Sequence, residues 1–308
     1  MRKEIVVNEE NYFNRLDKFL RKNFDELKMA SLYKLLRKGD VKVNGSREKK
    51  PGFSIEVGDR ISVWLPEKKE KRIKMKRSFE GKRKLKPVKM PLEILHEDED
   101  ILVINKAPGI SVHPGKGEKN RATLIEGLMA YGEKNGFEPY LVHRLDRDTS
   151  GVLIISKSRP LTRTLTAQIA KRGVYKEYSA LCVGNVDQPV TINASIDEKE
   201  ALTKLTPVAD YRFVSSEKEI PFTLLSVVIE TGRKHQIRRH LAQIKQPIAG
   251  DDKYGNREVN RLIRGDGLKR PFLHCSRMIV QIPGGKKYDL RAFRTQDLED
   301  FLSSLRRV

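Results

Sequence analysis

The apolar positions near the start of the chain predict two amphipathic helices, and the residues after them predict strands. The first helix has its apolar face at Phe13, Leu16, Phe19 and Leu20. The second repeats that spacing at Leu32, Leu35 and Leu36. Ser31 is expected to cap the start of the second helix and Gly39 to end it. A strand and turn follow over 41–45, and 53–65 alternates like a strand, so residues 1–66 are predicted to form a small α+β domain.

From Pro91 onward the apolar pattern changes to short strands separated by helix-like stretches. The strands are expected at Ile101–Ile104, Val152–Ile155 and Phe222–Ile229, and the helices at 161–171 and 233–245. No repeat with a period of about 20 to 50 residues is visible. Residues 90–308 are therefore predicted to form a mixed α+β domain.

The segment between these domains, residues 67–89, is strongly basic. It holds twelve lysines and arginines against three glutamates, together with Gly81 and Pro87, and it has no helical apolar stripe. We expect a basic linker. It could be a passive spacer, but a charge of this density is also typical of a segment that contacts RNA phosphates.

Charge gives the same indication for the whole chain. The 308 residues include 62 lysines and arginines against 41 aspartates and glutamates, a net charge of +21. Such an excess favours an anionic partner, namely RNA, DNA or an acidic membrane face, although a merely soluble basic protein is the alternative. The cysteines, Cys182 and Cys275, have neither zinc-site nor disulfide-scaffold spacing. With glutamates near the N-terminus and no apolar run of about 20 residues, we expect a cytoplasmic protein that does not enter a membrane.

The two N-terminal helices carry basic residues away from their apolar faces. These residues are Arg15, Lys18, Arg21, Lys22, Lys34, Arg37 and Lys38. On composition alone, a solvated helix face and a phosphate-docking face are equally good interpretations.

Residues 141–151 carry the clearest candidate for chemistry. A loop between two short apolar strands presents Asp146, and rigid flanking strands hold such a loop still. His143, Arg144 and Arg147 flank the carboxylate, and positive charge favours its ionised form, as a nucleophile or general base requires. An ordinary Asp-Thr-Ser-Gly turn is the structural alternative.

Two resemblances change the balance. The residues RLDKFLRKNF, ASLYKLLRKGDVKVNG and VGDRISV are similar to the S-four RNA-binding domain. The loop H-R-L-D-R-D-T-S-G, residues 143–151, resembles the signature of the RluA-type pseudouridine synthases. Four further segments resemble that family in the same order: DILVINKAPGISVHPG, YKEYSALCVG, TGRKHQIRRH, and GDDKYGNRE with PFLHC. The resemblance is strongest to the subgroup that modifies bacterial large-subunit (23S) ribosomal RNA.

This resemblance implies a largely antiparallel-sheet catalytic domain behind the S-four-like domain. It makes Asp146 the catalytic aspartate, Tyr178 the active-site tyrosine and Arg238 the arginine paired with the aspartate. The carboxylate either attacks C1′ of the uridine or removes the 2′ proton, and the sequence leaves both routes open. No cofactor and no metal are expected. A core-packed strand aromatic is the alternative for Tyr178.

The remaining site residues are expected to bind substrate. They are His143, Arg144, Arg147, Thr149, Arg233, His235 and Leu273. Arg233 and Arg238 are expected on one helix, where a simple phosphate-binding face is the alternative. The two histidines are expected to hold loop geometry, and an ordinary core leucine is the alternative for Leu273.

The expected partner is 23S ribosomal RNA or a ribosomal assembly intermediate, without an obligate protein partner. RNA contacts are expected at Arg15, Lys18, Lys34, Arg37 and Lys38. Two other functions compete. One is a ribonuclease using His143 and His235 as acid and base, and the other is a non-catalytic ribosome-assembly factor. Arg239 and Cys275 depart from the family pattern, where an apolar residue and an alanine are usual.

Overall fold

The structure, a computed structural model, describes residues 2–9, 11–24, 29–64, 85–115, 121–214 and 218–308. Its contacts divide the chain into two compact units, Met1–Lys82 and Arg83–Val308. The predicted basic linker, 67–89, lies outside the described residues except for its last five. None of the helices that the structure describes is long and apolar enough to cross a membrane.

The first unit packs two helices against a small sheet. Its elements are β1 (Arg2–Val6), α1 (Leu16–Asn23), α2 (Met29–Lys38), β2 (Val41–Val43), β3 (Ser46–Arg47) and β4 (Arg60–Trp64). The strands pair antiparallel in the order β1-β4-β2-β3. The apolar faces predicted for the helices are buried, with Phe19 and Leu20 inaccessible to solvent. The two predicted helices are therefore confirmed.

Three local expectations in this unit were wrong. Phe13 lies before α1 and packs against the core from the loop, and Ser31 lies within α2 instead of capping it, since α2 begins at Met29. The strand expected over 53–65 is shorter, Arg60–Trp64. In each case tertiary packing decided the element boundary, because an apolar residue can reach the core from a loop as well as from a helix.

The second unit is an α+β body. Its strands are β5 (Glu93–Glu97), β6 (Ile101–Lys106), β7 (Tyr140–Leu141), β8 (Ser150–Ser156), β9 (Tyr175–Val183), β10 (Val190–Asn193), β11 (Leu202–Val214), β12 (Glu219–Ile229), β13 (Leu273–Gln281), β14 (Lys287–Arg291) and β15 (Arg306–Arg307). Its helices are α3 (Leu124–Asn135), α4 (Arg159–Ala170), α5 (Gln236–Gln243), α6 (Arg257–Ile263) and α7 (Gln296–Ser304). The strands join one sheet in the order β10-β11-β12-β9-β13-β8-β6-β5, with β14 on β13, β15 on β11 and β7 on β8.

The sheet is largely antiparallel, which confirms the predicted fold class. Among the described strands, only β13 and β8 pair in parallel, through His274 with Ser150 and Cys275 with Gly151. Strands β6 and β8 are buried along their whole length, so they are near-continuous apolar runs instead of alternating ones. The amino end of β8 pairs with β13, whose other neighbour is β9, in the middle of the sheet and directly after the loop that carries Asp146.

Candidate active site

A cleft of about 190 Å³ opens where β8, β9 and β13 meet the loop before α5. It is lined by Arg144, Leu145, Asp146, Thr149, Tyr178, Ile229, Gly232, Arg233, Lys234, His235, Gln236, Ile237, Arg238 and Leu273. It is smaller than the roughly 300–1,000 Å³ of pockets for drug-sized ligands, so it suits a small planar group. Loop, strand and helix segments that are far apart in the sequence meet in this cleft.

Asp146 presents its carboxylate to the cleft from the loop between β7 and β8, with 22% of its side chain exposed. Its Oδ2 lies 3.4 Å from a guanidinium nitrogen of Arg238 and 3.8 Å from Nε2 of His235. The loop turns tightly, with the Thr149 amide donating to the Asp146 carbonyl at 3.2 Å. A partly exposed carboxylate beside a fixed cation suits nucleophilic or general-base chemistry.

The backbone of this loop is held by Lys106, which ends β6 and is 1% exposed. Its ammonium donates to the carbonyls of Ala107, Arg147 and Thr149 at 2.8, 2.9 and 2.9 Å. Burial lowers the pKa of Lys106 to about 7, against the opposing charges of Asp148 and Asp146. The three carbonyls use all three donors of the ammonium form. Lys106 thus ties the two ends of the turn after Asp146 to the core.

A second buried cation, Arg270, holds the far side of the loop. It donates to the Asp148 carbonyl at 3.0 Å and to the Ser150 hydroxyl at 3.3 Å. Its guanidinium also pairs with Asp297 at 2.6 Å. Neither Arg270 nor Lys106 was identified from the sequence. The available signal was an apolar strand that ends on a lysine, because a lysine in that position must find acceptors within the fold.

Arg238 pairs with Asp146 at 3.4 Å, as expected, but Asp251 holds it more closely. Two hydrogen bonds of 2.6 and 2.8 Å join its guanidinium to the Asp251 carboxylate, whose side chain is fully buried. Burial alone would raise the pKa of Asp251, but the hydrogen bonds and charge of Arg238 outweigh it and hold this pKa below its usual range. Bidentate pairing fixes the guanidinium plane. Arg238 therefore faces Asp146 as an oriented cation.

His235 lies in the loop before α5, with φ 54° in the left-handed region. The helix expected over 233–245 is Gln236–Gln243. The prediction that Arg233 and Arg238 lie on one helix was therefore wrong. Nδ1 of His235 lies 3.1 Å from the Tyr254 hydroxyl. Burial, with the charges of Arg238 and the nearby lysines, lowers the pKa of His235 against the opposing charge of Asp146. The imidazole of His235 is therefore neutral beside the carboxylate of Asp146.

Tyr178 and Leu273 form an apolar wall of the cleft and are 7% and 4% exposed. Tyr178 lies on β9 opposite Cys275 of β13 and Val227 of β12. Burial, and secondarily the Cys275 thiol, raises the pKa of Tyr178 well above its usual value. The phenol stays protonated, so it offers a ring face and a hydroxyl, and not a phenolate.

The structure separates two of the predicted substrate-binding residues from the cleft wall. His143 accepts a hydrogen bond at Nε2 from the Ile154 amide at 3.0 Å, and burial, with the charge of Lys176, lowers its pKa to about 3. His143 therefore holds loop geometry, and it does not pair with His235 as the ribonuclease hypothesis requires. Arg147 is exposed and pairs with Asp148 at 3.1 Å.

The other predicted residues are brought together. Arg144, Thr149, Arg233, His235 and Leu273 all line the cleft. Arg233 is further positioned by a 2.9 Å hydrogen bond to the Glu200 carbonyl. Across the described parts of the chain, no group of histidine, cysteine, aspartate and glutamate side chains could hold a metal ion.

Similarity to known proteins agrees with this geometry. Residues 100–243 match the family described as RNA pseudouridylate synthase. The chain is 34% identical to the ribosomal large subunit pseudouridine synthase C of Escherichia coli K12, over 99% of this chain and 97% of that protein. The Vibrio cholerae protein of the same name is 35% identical over 99% and 97%.

Two solved human structures share the fold. RNA Pseudouridylate Synthase Domain Containing 1 aligns with a TM-score of 0.57 at 21% identity, covering 71% of this chain and 89% of that one. Domain Containing 4 of the same series aligns with a TM-score of 0.52 at 23% identity, covering 69% and 93%. The bacterial relatives span nearly the whole chain at more than 30% identity, and the carboxylate, cation and apolar wall meet in one cleft. The chain is therefore a member of the RNA pseudouridylate synthase family, whose members are isomerases.

Proposed function

We propose that this protein isomerises uridine to pseudouridine in large-subunit (23S) ribosomal RNA, with Asp146 as the catalytic carboxylate. The substrate class rests on the names of the bacterial relatives that match the chain over almost its entire length. The single observation that supports the catalytic role is the position of Asp146, partly exposed in the cleft and faced by an arginine that another carboxylate holds in place.

The reaction rearranges a nucleotide without net oxidation or loss of atoms. The bond from N1 of uracil to C1′ breaks, the base rotates while bound, and C5 bonds to C1′. C5 then loses its proton and N1 gains one, so no atom is lost overall. A carboxylate in the cleft serves either of two routes: attack on C1′ to give a sugar ester, or removal of the 2′ proton to give a glycal. Both routes use a carboxylate oxygen that reaches the sugar, and the Oδ2 of Asp146 lies in the cleft 3.4 Å from the guanidinium of Arg238.

The target base has to leave its stack before it can enter so small a cleft. Extrusion costs a few kcal/mol and is cheapest in loops and bulges. Inside, the ring of Tyr178 stacks on the uracil and Leu273 packs against it, so the base remains bound after its glycosidic bond breaks. Because the phenol stays protonated, Tyr178 acts as a stacking surface and hydroxyl donor. Arg144, Thr149 and Arg233 contact the sugar and phosphates at the rim.

The first unit supplies affinity for structured RNA. Lys18, Lys34, Arg37 and Lys38 are exposed on α1 and α2, while Arg15 is exposed and paired with Asp17 at 2.9 Å. Contacts of this kind bind phosphates without reading sequence. We place the substrate, as 23S RNA or an assembly intermediate that contains it, in the bacterial cytoplasm.

The direct test incubates the purified protein with unmodified 23S ribosomal RNA, without cofactor, and maps pseudouridine by carbodiimide labelling and primer extension. We expect product at discrete uridines with the wild type and none with Asp146→Asn, which keeps the shape of the side chain but removes its charge. Wild-type product on transfer RNA alone would overturn the substrate and leave the reaction standing. Product at the wild-type rate from Asp146→Asn would overturn the role of the carboxylate.

A further inference from the structure

Helix α6 presents three arginines on one exposed face. Arg257, Arg261 and Arg264 follow one another at spacings of four and three residues, which places them on one side of a helix. All three are exposed and line a shallow depression with Asp252 and Asn260. The opposite side of the helix is buried through Val259, Asn260 and Ile263.

These arginines are poorly neutralised by the protein. Arg264 pairs with the exposed Asp252 at 2.7 Å, whereas Arg257 and Arg261 form no ion pair or hydrogen bond with any residue that the structure describes. The acidic residue of the helix, Glu258, is paired with Lys218 instead. By contrast, the exposed Arg172 pairs with Glu200 at 2.6 Å. Positive charge on α6 is therefore available to an external anion.

The buried side of the same helix is tied to the catalytic cleft. The Asn260 side chain accepts from the Gly250 amide and donates to the Asp251 carbonyl, both at 2.9 Å. Asp251 in turn holds Arg238, and Tyr254 from the same short loop contacts His235. A rigid chain of hydrogen bonds thus joins the arginine face to the cation beside Asp146.

Between the arginine face and the cleft, the loop carries one more cation. Lys253 is exposed, and its ammonium lies 5.1 Å from the centre of the Tyr254 ring, against which the guanidinium of Arg238 also lies at 5.3 Å. Positive groups therefore continue from the rim of the cleft through this loop to α6. A linear polyanion that enters the cleft with one residue could follow them with its next phosphates.

We propose that the exposed face of α6 binds the backbone phosphates of the RNA strand next to the target uridine and sets the position of that strand relative to Asp146. This inference rests on the proposed function, because it takes the substrate to be RNA. Arginine suits the role because its planar fork pairs with phosphate oxygens at two points. The contact carries no sequence information and fixes register instead.

The test compares the full-length wild type with the double variant Arg257→Ala/Arg261→Ala. We measure binding to a 23S fragment that contains one mapped target as a function of salt, together with steady-state pseudouridine formation. Loss of two phosphate contacts to a single strand makes the slope of log K against log salt shallower by about 1.4. KM should rise several-fold with little change in kcat, since no group at the reacting atoms has been altered.

A matched control removes two exposed basic side chains of other helices in the same unit, Lys134→Ala/Arg163→Ala, neither of which has a partner within the described part of the chain. It should leave the salt slope and KM near their wild-type values. Equal weakening by the two double variants, or no change of salt slope in the α6 variant, would overturn the proposal. Product formation by the wild type is measured in the same assay, so failure of this inference is distinguishable from failure of the proposed reaction.

Discussion

At the scale of single residues, the geometry of the cleft depends on buried charged side chains that form ion pairs and hydrogen bonds with specific residues. Asp251 is the clearest case, because its fully buried carboxylate accepts from Arg238 and also from the amides of Lys253 and Tyr254 at 2.9 and 3.0 Å. A buried ion pair is costly to form, and it is far more costly to leave half-broken. The cation facing Asp146 therefore depends on a residue that does not itself line the cleft.

We expect Asp251→Asn to reduce the free energy of unfolding by roughly 3–5 kcal/mol, because Arg238 loses its buried counter-charge and keeps only the longer contact with Asp146. Urea unfolding measures this change. The control is Asp197→Asn, which removes the exposed partner of the neighbouring Arg239 and should cost less than about 1 kcal/mol. Similar losses in the two variants would show that burial of the Arg238 pair is not what matters.

His274 couples stability to pH. It is fully buried between the two strands that flank the cleft, with Nε2 donating to the Ala292 carbonyl at 3.1 Å and Nδ1 accepting from the Ser150 hydroxyl at 2.9 Å. A carbonyl can only accept, which assigns the proton to Nε2. Burial lowers the pKa of His274 to about 4, against the opposing hydrogen bond to Ala292.

Because the unfolded chain binds a proton at this imidazole from about pH 6.5 downward and the folded chain does not, stability falls as pH falls toward 4. Between about pH 7 and about pH 5, His274 should account for about 2 kcal/mol of lost stability. His274→Gln should be less stable at neutral pH but should lose less on acidification. Parallel curves of urea midpoint against pH for the two proteins would contradict this assignment.

At the scale of elements, the amino end of β8 decides where the Asp146 loop lies. Gly151 pairs in parallel with Cys275 of β13 and has φ 116°, a conformation that residues with a side chain rarely adopt. A Cβ there would meet the Cys275 backbone nitrogen at 2.5 Å and its carbonyl oxygen closer still. The backbone of the loop before β8 is held by Lys106, at the end of β6, and by Arg270, which precedes β13.

Gly151→Ala should destabilise the protein by roughly 2–5 kcal/mol, the sum of backbone strain and overpacking against rigid backbone atoms. Thermal or urea unfolding measures it. The matched control is Gly109→Ala, where φ is 81° but a Cβ meets nothing within 4 Å, so only strain of about 1–2 kcal/mol remains. If the two variants lose the same stability, the close approach of β13 is not what makes Gly151→Ala destabilising.

At the scale of the whole molecule, the chain forms two compact units. The second unit contains the cleft, and the first carries basic side chains on helices whose apolar faces are buried. A net charge of +21 means that attraction to RNA is a property of the entire surface and is screened by salt. Individual faces are therefore distinguished by salt slopes and not by affinity alone.

We expect Lys34→Ala/Arg37→Ala/Lys38→Ala on α2 to weaken binding to long 23S fragments and to make the salt slope shallower by about 2. Filter binding over a salt series measures both. As a control, Arg2→Ala/Arg60→Ala removes two basic residues of the same unit that already pair with Glu4, and it should change the slope little. An unchanged slope in the α2 variant would show that this face does not contact RNA.

Local residue order was sufficient to predict both helices of the first unit, the apolar strands of the second and the loop position of Asp146. These features depend on neighbours within about one turn or one strand, where periodicity determines which side chains can be buried together. The predicted element boundaries at Phe13, Ser31 and 53–65 were wrong, because an element's ends depend on tertiary contacts that the local pattern does not contain. The family resemblance added Tyr178 and Arg238, which periodicity alone left open.

The sequence by itself determined the α+β class, the basic character and most of the residues predicted to meet in the cleft, Asp146 among them. Only the tertiary structure decided that Asp251 holds Arg238, that Lys106 and Arg270 hold the Asp146 loop, and that α6 turns its arginines outward. These contacts join residues up to 122 positions apart, as Asp148 and Arg270 are. The physical reason is that a buried charge must find a partner in three dimensions, and the residue order does not specify which distant group will be there.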